Sequence, residues 1–238
     1  VTITLTPVNG TATVKINGKH YAVTDNNVTF VANVTGEYNV VATIAESDNY
    51  YGSSATATFT IVKASSGIKI SVNDVYVVGE DIIIGLNPIN STGAITVTIN
   101  GKSYDVESGN KVNITGGLSE GTYTIVANLA NDTKYESSSN STVFKVVKNN
   151  LTIVLGDIVD MIYVGSPVTF TATLSENVIG DVIFTINGAN YTVKVNNAKE
   201  ATYTYTPVNN DTLTVVATVV GNDKYNGNSS VSKEFTVN

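Results

Sequence analysis

Ile16-Asn17-Gly18-Lys19-His20-Tyr21 decides the fold. It returns as Ile99-Asn100-Gly101-Lys102-Ser103-Tyr104 and as Ile186-Asn187-Gly188-Ala189-Asn190-Tyr191, 83 and then 87 residues further on. Asn-Gly tolerates positive φ at both centres of a type I′ turn. Each pair sits between alternating apolar and polar runs, so each reads as a β-hairpin. Downstream of each hairpin stand Tyr38-Asn39-Val40-Val41-Ala42, Tyr123-Thr124-Ile125-Val126-Ala127 and Leu213-Thr214-Val215-Val216-Ala217. Beyond these come Tyr50…Ser54, Tyr135…Ser138 and Tyr225…Ser229. Three markers in one order at one period mean three copies of one unit, of about sandwich length and longer than most solenoid repeats.

Every segment alternates with period 2, as in Val1-Thr2-Ile3-Thr4-Leu5-Thr6, and none shows a helical period. The middle copy reads as strands near 68–77, 81–87, 94–100, 102–106, 110–115, 121–129 and 140–148. The expected fold is all-β: three tandem immunoglobulin-like Greek-key β-sandwiches in an extended rod, with domains at 1–64, 65–148 and 149–238. The linkers, Lys63-Ala64-Ser65-Ser66-Gly67 and Lys148-Asn149-Asn150, are too short for flexible tethers. Val1 aligns with about Ile82 and Val168, and nothing in the first copy matches 68–77 or 151–164, so the first sandwich should lack its N-terminal strand. Such an edge recruits strands. Either a boundary cuts the domain there, or a neighbouring chain donates the strand and builds a fibre.

Composition narrows the function classes. The 238 residues contain no Cys, Trp, Gln or Arg, and all 13 basic residues are Lys. Disulfides and thiolate chemistry are therefore excluded. Charged residues make up 14%, against roughly 25% in an average domain, so Thr, Ser and Asn must cover the surface. A net charge of −7 with no basic cluster excludes the electrostatic footprint of a nucleic-acid binder. No apolar run approaches a membrane-spanning length and no leader pattern opens the chain. Because the chain starts within a strand pattern, it is expected to be part of something longer or a processed product.

These markers resemble the Ig-like repeats of large cell-surface adhesin-like proteins, and most closely those of methanogenic archaea. The residues that carry the resemblance are Val97–Tyr104, Leu118-Ser119-Glu120-Gly121-Thr122-Tyr123-Thr124-Ile125 and Asp48-Asn49-Tyr50-Tyr51-Gly52-Ser53-Ser54. The resemblance implies extracellular, cell-surface display and adhesion without naming a ligand. The expected partner is a cell-surface protein or glycan, with no nucleic acid and no membrane insertion in this segment. Strand exchange at the open edge of the first domain is the further expected contact. Two other roles stay open: a strand-donating subunit of a fibre or cell envelope, and a non-catalytic module of a secreted carbohydrate-active enzyme. The third copy departs from the pattern at Ala189 and at Leu213, which replaces the Tyr38 and Tyr123 that could make a hydroxyl-to-backbone corner bond.

Catalysis is not expected. His20 is the single histidine, in a slot that holds Ser103 and Asn190 in the other copies, and it should face solvent. The 20 acidic residues are scattered, mostly in turns. No cofactor is expected; calcium would suit Asp157 with Asp160, or the loop that carries Asp48, Asp132 and Asp223. An isopeptide bond could join Lys69 to Asn140 if the amine were buried. Tyr21, Tyr104 and Tyr191 read as packing residues. Tyr50, Tyr51, Tyr135 and Tyr225 lie in a loop before the last strand and are the candidate contact residues. Asn-x-Ser/Thr sequons at Asn9, Asn27, Asn33, Asn90, Asn113, Asn131, Asn140, Asn150, Asn210 and Asn228 are candidate glycan acceptors, making a glycoprotein the expectation after export. The sequon at Asn190 falls inside a strand and is a poor acceptor.

Overall fold

The computed structural model describes residues 1–6, 10–159, 161–178 and 180–238, and among them every regular element is a β-strand. The hairpins form as read. Val14 pairs with Tyr21 and Ile16 with Lys19, Val97 with Tyr104 and Ile99 with Lys102, Phe184 with Tyr191 and Ile186 with Ala189. The turn angles show why Asn-Gly stands there: φ is 47° and 81° at Asn17 and Gly18, 48° and 81° at Asn100 and Gly101, 46° and 87° at Asn187 and Gly188. Both central residues lie in the left-handed region that a type I′ turn requires.

The chain packs as two compact units. One comprises Val1–Ser71, Gly85–Val112 and Ile125–Thr142; the other comprises Val72–Ile84, Asn113–Thr124 and Val143–Asn238.

In the first unit, Thr2–Thr4 pairs with Asn27–Thr29 as one small sheet. The facing sheet runs Lys19–Tyr21, Ala12–Ile16, Gly36–Ile44, Ser53–Ile61. Alternation turns Val14, Ile16, Val28, Phe30 and Val40 inward as the core, with Tyr21, Tyr38 and Phe59 packed against it. Gly67–Ser71 then pairs antiparallel with the strand Ile82–Ile89, Ile70 opposite Leu86.

In the second unit, Ile153–Leu155, Val168–Leu174 and Glu200–Tyr205 form one sheet. Ala189–Lys194, Asp181–Ile186 and Thr212–Val219 form the other, and Asn228–Ser229 and Lys233–Thr236 both pair with Thr212–Val219. Its core is extensive, with Leu151, Phe170, Phe184 and Val219 almost wholly buried.

The expected strand at 68–77 is corrected to two. Gly67–Ser71 lies in a three-stranded sheet with Ile82–Ile89 and Lys111–Ile114, and Val75–Val77 pairs parallel with Lys145–Val147 at the edge of a five-stranded sheet that also holds Lys102–Tyr104, Ile95–Ile99 and Gly121–Leu129. The chain crosses between sheets at Val72–Asp74, where the Asn73 N–H donates to the Tyr76 hydroxyl at 3.2 Å. The third copy makes the same switch, with Ile153–Leu155 paired to Val168–Leu174 and Ile162 bridged in parallel to Val237. Among the described residues, the first copy has neither half of this switch, so Thr2–Thr4 and Ser53–Ile61 each keep an unpaired edge. The expected alignment of Val1 with Val168 shifts by two. Leu5 N bonds Asn26 O as Leu174 N bonds Lys199 O, which sets Val1 level with Phe170.

Candidate functional site

Each linker is a hydrogen-bonded part of the repeat that follows it. Ala64 N donates to Lys134 O at 2.9 Å, and Glu136 N donates back to Ala64 O at 2.8 Å. The Ser66 hydroxyl adds a bond to Glu136 O at 2.6 Å. In the third copy Asn149 and Asn150 pair in parallel with Tyr225 and Asn226, and the Asn226 amide donates to Asn150 Oδ1 at 2.9 Å. One linker thus makes a bridge and the other a two-residue strand alongside its tyrosine loop, which removes their freedom as tethers.

The loop itself is shaped by one side chain. Asp132 Oδ1 accepts from Lys134 N and Tyr135 N, both at 2.8 Å. Asn222 Oδ1 does the same for Lys224 N and Tyr225 N, at 2.8 and 2.9 Å. In the first copy Ser47 N bonds Tyr50 O at 3.0 Å, as Asp132 N bonds Tyr135 O. The recurring position is therefore Ser47, Asp132 and Asn222, and the expected set Asp48, Asp132 and Asp223 is corrected by one residue at each end. Asp132 also accepts from Thr92 N and the Ser91 hydroxyl, each at 3.0 Å. The Lys134, Thr92 and Tyr135 N–H groups, with the Ser91 hydroxyl, hold its carboxyl far below the usual carboxylate range.

Asp157, the other calcium candidate, accepts from the Lys233 ammonium at 2.7 Å, which lowers its pKa. Asp160 lies outside the described residues. Among the described residues no three His, Cys, Asp or Glu side chains come together. Lys69 is exposed, on the opposite face of its strand from buried Ile68, so the buried amine an isopeptide needs is not there. His20 is exposed on its hairpin. The corner bonds form: the Tyr38 hydroxyl donates to Val34 O at 2.8 Å and that of Tyr123 to Ser119 O at 2.9 Å. Tyr21 packs 5.3 Å from Phe30, and Tyr191 stacks 4.5 Å from Tyr203.

The sequons divide by what their amides do. Asn140 Nδ2 donates to Ile68 O at 3.0 Å and Asn228 Nδ2 to Leu151 O at 2.6 Å, so both tie the inserted strand in place. Asn27 Nδ2 is bonded to Asp25 O at 2.9 Å. Asn33, Asn90, Asn113, Asn131, Asn150 and Asn210 are exposed. Asn9 lies outside the described residues.

The four loop tyrosines also divide. Tyr135 and Tyr225 are half-buried beside their linkers. Among the described residues no linker lies beside Tyr50 and Tyr51, which are 54% and 91% exposed. Next to them opens a groove of about 370 Å³, lined by Leu5, Ala42, Ile44, Ser53 and the two tyrosines among others. Ala42 and Ile44 are half-buried there, whereas Ala127 and Leu129, and Ala217 and Val219, at the same repeat positions, are at most 1% exposed. The apolar lining was not among the candidates named from sequence. The signal for it was a core pattern in the first copy that no strand among the described residues covers.

No family description matches the chain, and no curated protein matches it. Solved structures similar to it include fibronectin(III)-like modules of Clostridium thermocellum CbhA, at 17% identity over 71% of this chain and 92% of that one, TM-score 0.32. The Escherichia coli adhesin FdeC matches at 16% identity over 99% and 88%, TM-score 0.30. A tetra-tandem repeat from the extending region of a large adhesion protein matches at 16% over 94% of this chain and 65% of that one, TM-score 0.33. No activity of this chain follows from overlaps of this kind. Among the described residues no helix is long and apolar enough to cross a membrane.

Proposed function

We propose that the chain is a stalk-forming segment of a cell-surface adhesin-like protein, built of Ig-like domains at 1–64, 65–148 and 149–238. The observation that carries this is the pairing of each linker with the tyrosine loop of the next repeat, Ala64 with Tyr135 and Asn149 with Tyr225. A linker hydrogen-bonded along the next repeat transmits position and load; a free tether does not. The extracellular location, the closeness to methanogen repeats, and a partner that is a surface protein or glycan belong to the same reading and rest on the sequence resemblance. The reading assigns the chain no catalytic step.

Its test is binding of the labelled chain, and of each domain alone, to a glycan array and to cell surfaces. A stalk gives no saturable binding in any form. Binding by one isolated domain as tight as that of the whole chain would replace the stalk with an adhesive module.

A second reading is a strand-accepting subunit of a fibre: the edges of Thr2–Thr4 and Ser53–Ile61, unpaired among the described residues, are of the kind that a strand from upstream in the same protein or from a neighbouring molecule covers, and only the latter builds a fibre.

A further inference from the structure

The third repeat brings two phenols together from its two sheets. Tyr191 stands on the edge strand Ala189–Lys194 of one sheet, and Tyr203 on the edge strand Glu200–Tyr205 of the other. Their ring centroids lie 4.5 Å apart with the planes inclined by 22°, and both residues are half-buried. Tyr203 also stacks on fully buried Phe184 at 6.2 Å. Sheet register fixes the pair, since Tyr203 lies opposite Phe170 and Tyr191 opposite Phe184. Elsewhere this slot lacks the second phenol. Leu5 N, Leu86 N and Leu174 N bond the carbonyls of Asn26, Asn110 and Lys199, which sets those three residues level. Four residues further on stand Phe30, Ile114 and Tyr203. In the first repeat, accordingly, Tyr21 packs on Phe30, a ring without a hydroxyl, at 5.3 Å and 55°.

We propose that Tyr191 and Tyr203 form an oxidative modification site, at which a one-electron oxidant, such as hydrogen peroxide activated by a peroxidase, joins the two rings into a dityrosine. The chain has 13 Tyr and neither Cys nor Trp, so tyrosine is its main donor of single electrons. Each phenol gives up one electron and its hydroxyl proton. A carbon ortho to each oxygen then joins its counterpart, and the hydrogen it carries passes to that oxygen and restores the phenol. One hydrogen peroxide takes up the two electrons and two protons and leaves as two waters. The stack turns an encounter of two radicals into a reaction between neighbours already in place. Its separation is at the short end of the range over which aromatic side chains pack. The competing ring, Tyr205, lies 6.2 Å from Tyr191 and is inclined by 59°. The new bond ties one sheet to the other at a side where, among the described residues, neither edge strand has a further hydrogen-bonded neighbour. In a chain without Cys this is a covalent staple that no disulfide can supply.

The site does not depend on the stalk reading, and its test reads a bond rather than binding. The whole chain, at low concentration, is oxidised with a peroxidase and hydrogen peroxide, and the monomer is then isolated. Coupling between molecules through exposed Tyr50 and Tyr51 is removed with the larger species. Cleavage after lysine cuts at Lys194 and Lys199, which separates Tyr191 from Tyr203 unless a bond joins them. The monomer should show dityrosine fluorescence, and peptide 149–194 should appear linked to peptide 200–224 with the loss of two hydrogen atoms. Fragmentation should place the bond at Tyr191 and Tyr203. Tyr203→Phe keeps a ring in the stack and should abolish the linked pair, whereas Tyr205→Phe should leave its yield unchanged. A monomer without the linked pair would overturn the proposal. A bond placed at Tyr205 or Tyr163 would do the same, as would an undiminished yield from the Tyr203→Phe chain.

Discussion

The Tyr123 hydroxyl donates to the carbonyl of Ser119, four residues back, at 2.9 Å, and its ring stacks on Phe144 at 5.4 Å. Tyr38 repeats the arrangement with Val34 at 2.8 Å and Phe59 at 5.2 Å. Tyr→Phe at either position keeps the stack and deletes only the hydrogen bond. Each substitution should cost about 0.5–1.5 kcal/mol, read as a lowered urea midpoint with unchanged slope. The third repeat has Leu213 at this place, 7% exposed and paired with Phe235, so apolar packing replaces the bond there. A Tyr123→Phe variant with wild-type stability would show that the corner bond only exchanges for one to water.

The corner could be read from the repeated Gly-x-Tyr, because one side chain at a fixed offset makes it. The hairpins were legible for a similar reason, since Asn-Gly meets a φ requirement few residues meet. The sheet switch inside 68–77 was not. Ile68, Ile70, Val72 and Tyr76 keep the same parity on both sides of the crossing at Asn73, with Asp74 alone departing from it, so the pattern reads as one strand. The linkers were legible as short and polar but not as hydrogen-bonded parts of the next repeat. Their pairing is main chain to main chain, Ala64 with Lys134 and Glu136, and leaves no side-chain pattern. The exposure of Tyr50 and Tyr51 follows from what does not lie next to them, which a local pattern cannot encode.

Asp132 gives the molecule an acid-sensitive point. Four donors hold its folded-state pKa far below the value it has in an unfolded chain. A depressed carboxylate contributes stability that is fully present above the ordinary pKa near 4 and is lost as pH falls toward the folded value. Asp132→Asn should therefore flatten the acid limb of the stability curve between about pH 4 and pH 2. At neutral pH it should be less stable than the parent. One oxygen still serves Lys134 N and Tyr135 N, as Asn222 serves Lys224 N and Tyr225 N, but an amide NH₂ then faces Thr92 N. Parallel acid limbs for parent and variant would place the sensitive group elsewhere.

The amides of Asn140 and Asn228 make a prediction about modification. A glycan on Nδ2 takes one of that nitrogen's two hydrogens and must be fitted beside the bond to Ile68 O or Leu151 O, each of which holds an inserted segment, so these sites are crowded. After expression in a glycosylating host, glycopeptide mapping should find Asn33 and Asn113 occupied more fully than Asn140 and Asn228. Replacing Asn228 with Ala should cost about 1 kcal/mol, because the Leu151 carbonyl loses its donor. High occupancy at Asn228 on folded protein would mean that the strand at Leu151 is held without that bond.

The first repeat should open before the third. Among the described residues, its cluster contains five buried apolar side chains, Val14, Ile16, Val28, Phe30 and Val40, against nineteen in the third. Each fully buried Val, Leu, Ile or Phe contributes about 1.5–3 kcal/mol, and whole domains are stable by only about 5–15 kcal/mol, so a deficit of this size cannot be hidden by local differences in hydrogen bonding. The two uncovered edges act in the same direction, since their N–H groups are already open to exchange. In native-state hydrogen exchange, amides of Ala12–Ile16 and Gly36–Ile44 should exchange at least about tenfold faster than those of Asp181–Ile186 and Thr212–Val219. Equal rates would mean that the first repeat draws its stability from its pairing with the rest of its unit, and opens only together with it.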